Sequence, residues 1–246
     1  MPAEKKKKKR KKKHYMLRLL LLILIVIGAY FFMTSRIFDV QKLTVEGNKY
    51  FTAEQVIQIA GAGTGENLFG QPVKKMEKNL LREPYMKNVS VSRRLPGELV
   101  IRVTERKEYA AVPYGKKYLI IDKDGMILRQ TDTVPKAPLL IGMTLSNIKV
   151  GTPLRVEENS LLTGTLTMLE EMNRNEIYFK KIEISSVVIR AYIYDTLLCE
   201  GTPENIIKNM DEIKQVLYDL YKKGTERGVI KVYGDERDCA FSPVIQ

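Results

Sequence analysis

The sequence predicts an α+β protein in three successive parts: a single N-terminal transmembrane helix, a compact β-α-α-β-β unit, and a mixed β-domain with helices packed on an extended sheet. Three observations support this prediction. Residues 19–35 form an uncharged, apolar run. Between residues 37 and 106, one alternating stretch is followed by two stretches of helical spacing and then by two more alternating stretches. Beyond residue 107, short alternating runs are separated by Gly and Pro, which is typical of strands joined by turns.

Residues 19–35 have the length and composition of a membrane anchor. Arg18 and Arg36 bracket seventeen residues without a charge, and a helix that rises about 1.5 Å per residue crosses most of a hydrocarbon core of about 30 Å. A cleaved signal peptide is the alternative, but the run ends in the bulky residues 30–33, with no small-x-small cleavage site at the usual place. We therefore expect an uncleaved anchor over residues 15–36.

Positive charge is concentrated before this anchor. Residues 5–13 are nine consecutive Lys or Arg, which gives residues 1–14 a net charge of +8, whereas the remaining 32 basic and 28 acidic residues leave only +4. Because positive charge stays on the cytoplasmic side of a membrane, we expect residues 1–14 to be a basic cytoplasmic tail and the bulk of the chain to be extracytoplasmic. Beside an anchor such a tail can hold anionic lipid, and we expect no nucleic-acid partner.

The scarcity of Cys and His excludes several kinds of site. Cys199 and Cys239 are the only cysteines, too few for a disulfide scaffold, and free thiols are favoured over a bridge, which stays open. The single histidine, His14, lies in the basic tail. The sequence therefore predicts no zinc site or other metal site, no His-based active site and no cofactor.

The stretch from residue 38 to residue 106 predicts a strand, two helices and two further strands. Thr52 and Gln55 have the spacing of a capping box at the start of the first helix. Pro84 ends the second helix, and alternating apolar residues then flank a turn that contains Pro and Gly.

Three basic residues lie four apart along the second helix, which places them on one face. They are Lys74, Lys78 and Arg82. Such a stripe is typical of a solvated helix face, and contact with an anionic surface, either an acidic polymer or lipid headgroups, is the functional alternative.

The remainder predicts a β-domain over residues 107–234 and a polar C-terminal tail over residues 235–246. Strands are predicted over residues 117–121, 126–129, 181–185, 187–194, 196–200 and 229–233, and helices over residues 157–172 and 202–222. The second of these helices begins with Thr202 as its cap and Pro203 in its first turn. Its apolar stripe is expected to pack on the sheet.

Ser146 and Lys149 form an SxxK motif, in which a lysine one helical turn away can activate a serine nucleophile. The SxN and KTG motifs that accompany it in penicillin-binding enzymes are absent, and the Gly and Pro residues around Ser146 argue against a helix there. We therefore expect no catalytic residues. A membrane-tethered Ser/Lys peptidase is the alternative.

Three stretches that follow the tail and anchor resemble a known family. They are FDVQKLTVEGNKYFTAEQV, EPYMKNVSVSRRLPGELVIRVTERKEYA and YLIIDKDGMIL. They resemble the bacterial cell-division family FtsQ/DivIB, most closely over residues 38–128. The resemblance implies that residues 37–106 form a POTRA domain, followed by the β-domain. It also implies a non-enzymatic scaffold of the divisome that supports formation of the division septum.

The resemblance further implies partners and a binding region. The partners would be FtsB/DivIC-type and FtsL-type bitopic division proteins and, indirectly, septal cell-wall synthases. Because the strand at residues 229–233 comes last, it is predicted to be an edge strand that can pair with a partner strand. The predicted partner-binding residues are Val229, Ile230, Lys231, Val232, Tyr233 and Phe241. Tyr233 and Phe241 are the expected anchors, since buried aromatics dominate interface energies.

Two alternatives stay open for this region and for the whole chain. In the first alternative, Tyr233 packs on the helix over residues 202–222 and Phe241 is disordered. A POTRA-type translocation or assembly protein would need an amphipathic barrel of at least eight strands after the POTRA unit, and the two predicted helices interrupt such a series.

Overall fold

The structure is a computed structural model that describes residues 13–185, 187–234 and 239–243. Residues 1–12 of the predicted basic tail lie outside the described residues, as do residues 235–238 and 244–246 of the predicted C-terminal tail. The chain divides into two compact units. The first comprises Met1–Leu80 and Val89–Val103, and the second comprises Leu81–Asn88 and Thr104–Gln246.

The apolar run forms helix α1, Lys13–Met33. Its segment Tyr15–Met33 has a mean hydropathy of 2.5, and none of it is buried within the protein. At about 1.5 Å per residue these 19 residues extend for about 28 Å, close to the thickness of a hydrocarbon core. The predicted N-terminal apolar helix is confirmed, and its length and composition suit a membrane span.

Three strands and two helices form the predicted β-α-α-β-β segment. They are β1 (Lys42–Glu46), α2 (Ala53–Ala60), α3 (Val73–Leu80), β2 (Met86–Arg94) and β3 (Glu98–Glu105). The strands form one sheet in the order β1-β3-β2, in which β1 runs parallel to β3. A short 3₁₀ turn, Arg36–Phe38, precedes β1, so the first strand is shorter than the predicted one.

Local capping and burial in this segment agree with the sequence pattern. Thr52 Oγ1 accepts a hydrogen bond from the backbone N–H of Gln55 at 3.3 Å, and Gln55 Oε1 accepts one from the N–H of Thr52 at 2.9 Å. Gly61 ends α2 in the left-handed conformation at φ +71°, which glycine adopts without strain. Six apolar side chains of these helices and strands are at most 8% exposed: Val56, Met76, Leu80, Val91, Ile101 and Val103.

The second unit contains a nine-stranded sheet, a two-stranded sheet and three helices. The strands are β4 (Ala110–Tyr114), β5 (Lys117–Ile121), β6 (Ile127–Thr131), β7 (Leu139–Ile141), β8 (Leu145–Asn147), β9 (Arg155–Val156), β10 (Lys181–Ile184), β11 (Ile189–Tyr192), β12 (Leu197–Gly201), β13 (Gly228–Val232) and β14 (Cys239–Ser242). The helices are α4 (Asn159–Asn175), α5 (Pro203–Lys208) and α6 (Met210–Lys222). The large sheet has the order β14-β13-β12-β11-β10-β7-β4-β5-β6, and β8 pairs with β9.

Strand β7 joins two groups of strands, β4–β6 and β10–β14, into this single sheet. It runs parallel to β10, with Leu140 opposite Ile182, and parallel to β4, with Leu139 opposite Ala111. Leu140 and Ile182 are fully buried in the core that α4, α5 and α6 share with the sheet. A mixed sheet with three helices is thus what the described residues form, and not the long series of alternating strands that the translocation alternative required.

The helix predicted over residues 202–222 is interrupted, so that prediction is wrong in one respect. Helix α5 ends at Lys208 and α6 begins at Met210, with Asn209 between them. Asn209 is fully buried, and its Nδ2 donates to the carbonyl oxygen of Asn205 at 3.1 Å. The apolar spacing continues across the break, which is why the two helices look like one in the sequence.

We expect the substitution Ile101→Asp to unfold the first unit. Ile101 lies on the central strand β3 opposite Val45 and is fully buried, and an unpaired buried charge costs on the order of 3–5 kcal/mol. The exposed Ser92 on β2 offers a matched control as Ser92→Asp. Thermal unfolding followed by circular dichroism measures both variants. An unchanged melting temperature for Ile101→Asp would contradict the assigned register of β3.

Candidate functional site

Strand β14 is the outermost strand at one end of the nine-stranded sheet. It pairs antiparallel with β13, with Phe241 opposite Ile230 and Ala240 opposite Lys231. The prediction that residues 229–233 form the edge strand is therefore wrong, because β13 lies between β12 and β14. The polar residues before Cys239 made this part of the chain look like a tail, whereas Cys239 and Phe241 alternate as in a strand.

The predicted partner-binding residues lie in different environments. Ile230 is fully buried and Val232 is 4% exposed, both in the core beneath the helices. Val229 is 6% exposed, and Lys231 is half-buried. Of the six, only Tyr233, which follows β13 and is 47% exposed, is an exposed residue.

The second expected anchor, Phe241, packs within its own chain. It is half-buried against the core of the second unit. Its ring lies over Gly228, where a Cβ would stand 2.5 Å from Cε2 of Phe241 and 2.6 Å from the carbonyl oxygen of Ser242. Phe241 therefore fastens β14 to β13, and the sequence prediction of a free anchor did not foresee that contact.

The opposite edge of the same sheet is covered by its own chain. Strand β6 is the last strand there, and residues 148–154 run along it. The N–H of Ile127 donates to Thr152 O at 3.1 Å, and the N–H of Gly151 donates to Ile127 O at 2.8 Å. Gln130 Nε2 also donates to Ile148 O at 3.5 Å. Because the backbone of Ile127 is already paired with this segment, part of the β6 edge is occupied, and β14 is the better candidate for pairing with a partner.

The three-stranded sheet of the first unit has edges of its own at β1 and β2. On β2, the backbone N–H of Val91 donates to Glu77 Oε1 at 2.9 Å, so helix α3 occupies part of that edge. Strand β1 is the second candidate edge in the described chain.

A row of alternating charge crosses the sheet toward β14. Arg190, Glu200, Lys231 and Ala240 are successive partners on four neighbouring strands, so their side chains share one face. Arg190 Nε donates to Glu200 Oε2 at 2.9 Å, and this bond raises the pKa of Arg190 above its ordinary value. The row therefore ends with a cation on β13 and a methyl group on β14.

The two cysteines lie too far apart for a disulfide. Cys199 is on β12 and Cys239 is on β14, with β13 between them. Two strand spacings amount to about 10 Å, beyond the Cα separation of about 7 Å that a bridge tolerates. Neither cysteine forms a disulfide, and burial raises the pKa of the Cys199 thiol well above its ordinary value. A protonated, buried thiol is chemically inert.

Ser146 and Lys149 are not arranged as a catalytic pair. Ser146 lies on strand β8, and its Oγ donates to the carbonyl oxygen of Arg155 at 2.9 Å. Lys149 lies beyond the end of that strand, so the two residues lack the helical geometry that the motif requires. Within the described ranges 13–185, 187–234 and 239–243, no group of three His, Cys, Asp or Glu side chains could hold a metal ion.

The predicted basic stripe is incomplete, because α3 ends at Leu80, before Arg82. Lys74 and Lys78 are exposed on that helix, and Lys74 Nζ lies 3.6 Å from Glu77 Oε2. Arg82 instead belongs to the second unit. The prediction that the three residues form one stripe on the helix is therefore wrong, whereas an anionic contact at Lys74 and Lys78 stays a prediction.

We expect Gly228→Ala to loosen β14 from the sheet. Gly228 has φ +141°, and the added Cβ would collide with the ring of Phe241, so overpacking should cost about 1–3 kcal/mol. Amide hydrogen exchange of residues 239–242 should accelerate, while that of β4 and β5 stays unchanged. Gly234→Ala is the control, since nothing lies within 4 Å of its added Cβ. Equal exchange rates in both variants would contradict the packing of Phe241 on Gly228.

Known proteins resemble this chain in its POTRA segment and along much of its length. Residues 38–106 match the POTRA domain of the FtsQ type. The cell division protein DivIB of Clostridium acetobutylicum is 29% identical over 194 residues, which are 76% of this chain and 78% of that protein. DivIB of Clostridium botulinum (strain Loch Maree) is 24% identical over 200 residues, which are 79% of this chain and 78% of that protein.

One solved structure, the major extracytoplasmic domain of the trans isomer of DivIB from Geobacillus stearothermophilus, covers 48% of this chain and 97% of its own at 16% identity. Its TM-score of 0.34 is too low to support a structural argument. Residues 38–106 thus match a POTRA domain of the FtsQ type, and helix α1 is long and apolar enough to span a membrane. Over about three quarters of its length, the chain is similar to bacterial cell division proteins named DivIB.

Proposed function

We propose that this protein is a non-enzymatic scaffold of the divisome that binds other single-pass division proteins by strand addition to β14. The observation that carries the proposal is the difference between the two ends of the nine-stranded sheet. The β6 end is hydrogen-bonded to residues 148–154, whereas β14 is the terminal strand at the other end. A terminal strand directs half of its backbone groups away from the sheet, and a partner strand can pair with them.

The proposed partners are taken from the resemblance to the FtsQ/DivIB family. FtsB/DivIC-type and FtsL-type bitopic proteins would bind this protein directly, and septal cell-wall synthases would be recruited through them. Binding by backbone pairing needs no cofactor or catalytic residue, which agrees with the engaged hydroxyl of Ser146 and the buried thiol of Cys199. The scaffold is thus favoured over the Ser/Lys peptidase.

The charge row supplies a preference for the sequence of the partner strand. A strand added beyond β14 would lie about 10 Å from β13, two strand spacings away. Ala240 on β14 lies between Lys231 and the added strand. Because its side chain is only a methyl group, the long side chain of Lys231 can extend across it. An acidic residue on the partner strand beside Ala240 would continue the alternation set by Arg190, Glu200 and Lys231.

Three changes should weaken binding of an FtsB/DivIC-type partner. Tyr233→Ala removes an exposed aromatic next to the edge, and loss of such an anchor costs about 2 kcal/mol or more, roughly 30-fold in Kd. Lys231→Glu replaces attraction for an acidic residue by repulsion. Truncation after Glu236 removes β14 altogether and should abolish binding. Isothermal titration of the full chain in detergent with the partner measures all three.

The matched controls are Tyr218→Ala and Lys222→Glu, both on helix α6. Tyr218 is 58% exposed, more than Tyr233, so its loss tests whether any surface tyrosine matters. Circular dichroism and melting temperature identify variants that have lost their fold. If Tyr233→Ala and Lys231→Glu stay folded and bind with unchanged affinity, the site lies elsewhere, and strand β1 becomes the next candidate.

The same proposal includes a type II orientation at the division septum. The basic residues 5–13 precede the anchor, and this asymmetry keeps the N-terminus in the cytoplasm. External protease added to cells with an intact cytoplasmic membrane should therefore digest the chain beyond residue 36, while a tag at the N-terminus stays protected. Protection of the C-terminal part in intact cells would reverse the orientation.

A further inference from the structure

The end of helix α1 is fastened to a loop far along the chain. Asn67 Nδ2 donates to the carbonyl oxygen of Met33, the last residue of the helix, at 2.9 Å. Two edge-to-face ring pairs accompany this bond: Phe32 with Phe38, and Phe38 with Phe69, each with centroids 5.2 Å apart. The anchor thus continues into the first unit through side-chain contacts as well as through the backbone.

The loop that makes these contacts is itself firmly held. The N–H of Leu68 donates to Phe38 O at 2.7 Å, and the N–H of Val40 donates to Glu66 O at 2.9 Å. Arg93 on β2 clamps the other side, since its guanidinium donates to the carbonyl oxygens of Leu68 and Gln71, each at 2.7 Å. Phe69 therefore has a defined position relative to the end of the membrane helix.

Two apolar side chains near the end of helix α1 are exposed. Ile37 is 58% exposed and Phe69 is 36% exposed, although both lie beside the buried Phe38. We call Ile37 and the loop residues 67–70, which include Phe69, the juxtamembrane surface. The exposed Arg36 lies next to Ile37 in the chain, so a cation borders the apolar side chains.

We propose that the juxtamembrane surface rests in the interfacial layer of the bilayer, with Phe69 among the lipid headgroups and upper acyl carbons. Continuity with α1 identifies lipid as the occupant. Because Asn67 bonds the terminal carbonyl of the spanning helix, the loop stands at the depth where that helix leaves the hydrocarbon. Aromatic side chains are favoured at that depth, and a flanking arginine can reach the phosphates.

This inference rests on α1 spanning a membrane and does not depend on a partner binding at β14. It gives the first unit a fixed orientation relative to the membrane. If a single helix were the only attachment, the folded part could rotate relative to the bilayer, and a second contact with lipid prevents that rotation. The partner of this surface is the lipid bilayer itself.

The absence of Trp from the sequence permits a direct test. Phe69→Trp in the full chain, reconstituted at one copy per lipid nanodisc, introduces a single tryptophan. We expect a blue-shifted emission maximum and strong quenching by lipids brominated near the carbonyl end of the acyl chain. Single-copy discs exclude a second protein molecule as the source of protection.

Tyr50→Trp is the matched control. Tyr50 is 53% exposed, more than Phe69, and it follows β1, whose five residues carry the chain about 17 Å away from the anchor end. Its tryptophan should emit as in water and resist the lipid quencher. Asn67→Ala, which removes the bond to Met33, should reduce quenching of Trp at position 69 without lowering the melting temperature of the second unit.

A second measurement leaves residue 69 native. In nanodiscs that contain headgroup nitroxide lipids, NMR amide signals of residues 67–70 should broaden more than those of residues 48–51. Water-like emission from Phe69→Trp without quenching, in a protein of unchanged circular dichroism, would overturn the inference. If that variant fails to fold, equal broadening of the two loops would overturn it.

Discussion

The parallel pairing of the three-residue strand β7 holds the second unit together. Leu139–Ile141 lies between β4 and β10, so the strand groups β4–β6 and β10–β14 become one sheet. Without that junction each group would present an exposed flank to solvent, which is unfavourable for unpaired backbone groups. The position of every outer strand, including β14, depends on this short pairing.

The two outer strands of this sheet, β6 and β14, are held in different ways. At the β6 end, the backbone of residues 148–154 supplies hydrogen bonds to the edge. At the other end, β14 is fastened from the inside by Phe241 packed over Gly228. A strand that is secured on its inner side can pair on its outer side without unfolding its own domain. This arrangement suits a scaffold, since recognition then requires backbone complementarity and not a deep pocket.

In the first unit, a single loop is linked to the end of helix α1 through both a polar and an aromatic side chain. One polar side chain, Asn67, satisfies a carbonyl at the C-terminal end of α1, where helical carbonyls lack partners within the helix. The same loop carries Phe69 into a chain of aromatic contacts. The same loop therefore satisfies the end of the helix and fixes the position of Phe69. Arg93 on strand β2 holds this loop in place through hydrogen bonds to its carbonyl oxygens.

Local patterns in the sequence determined the anchor helix, the capping box of Thr52 and Gln55, and the β-α-α-β-β order, because each depends on residues a few positions apart. They also indicated the family. The break at Asn209, the short strand β7 and the outer position of β14 depend on contacts between residues distant in the chain. Apolar spacing cannot distinguish an edge strand from an inner one, because the neighbour that decides it is set only when the whole sheet assembles.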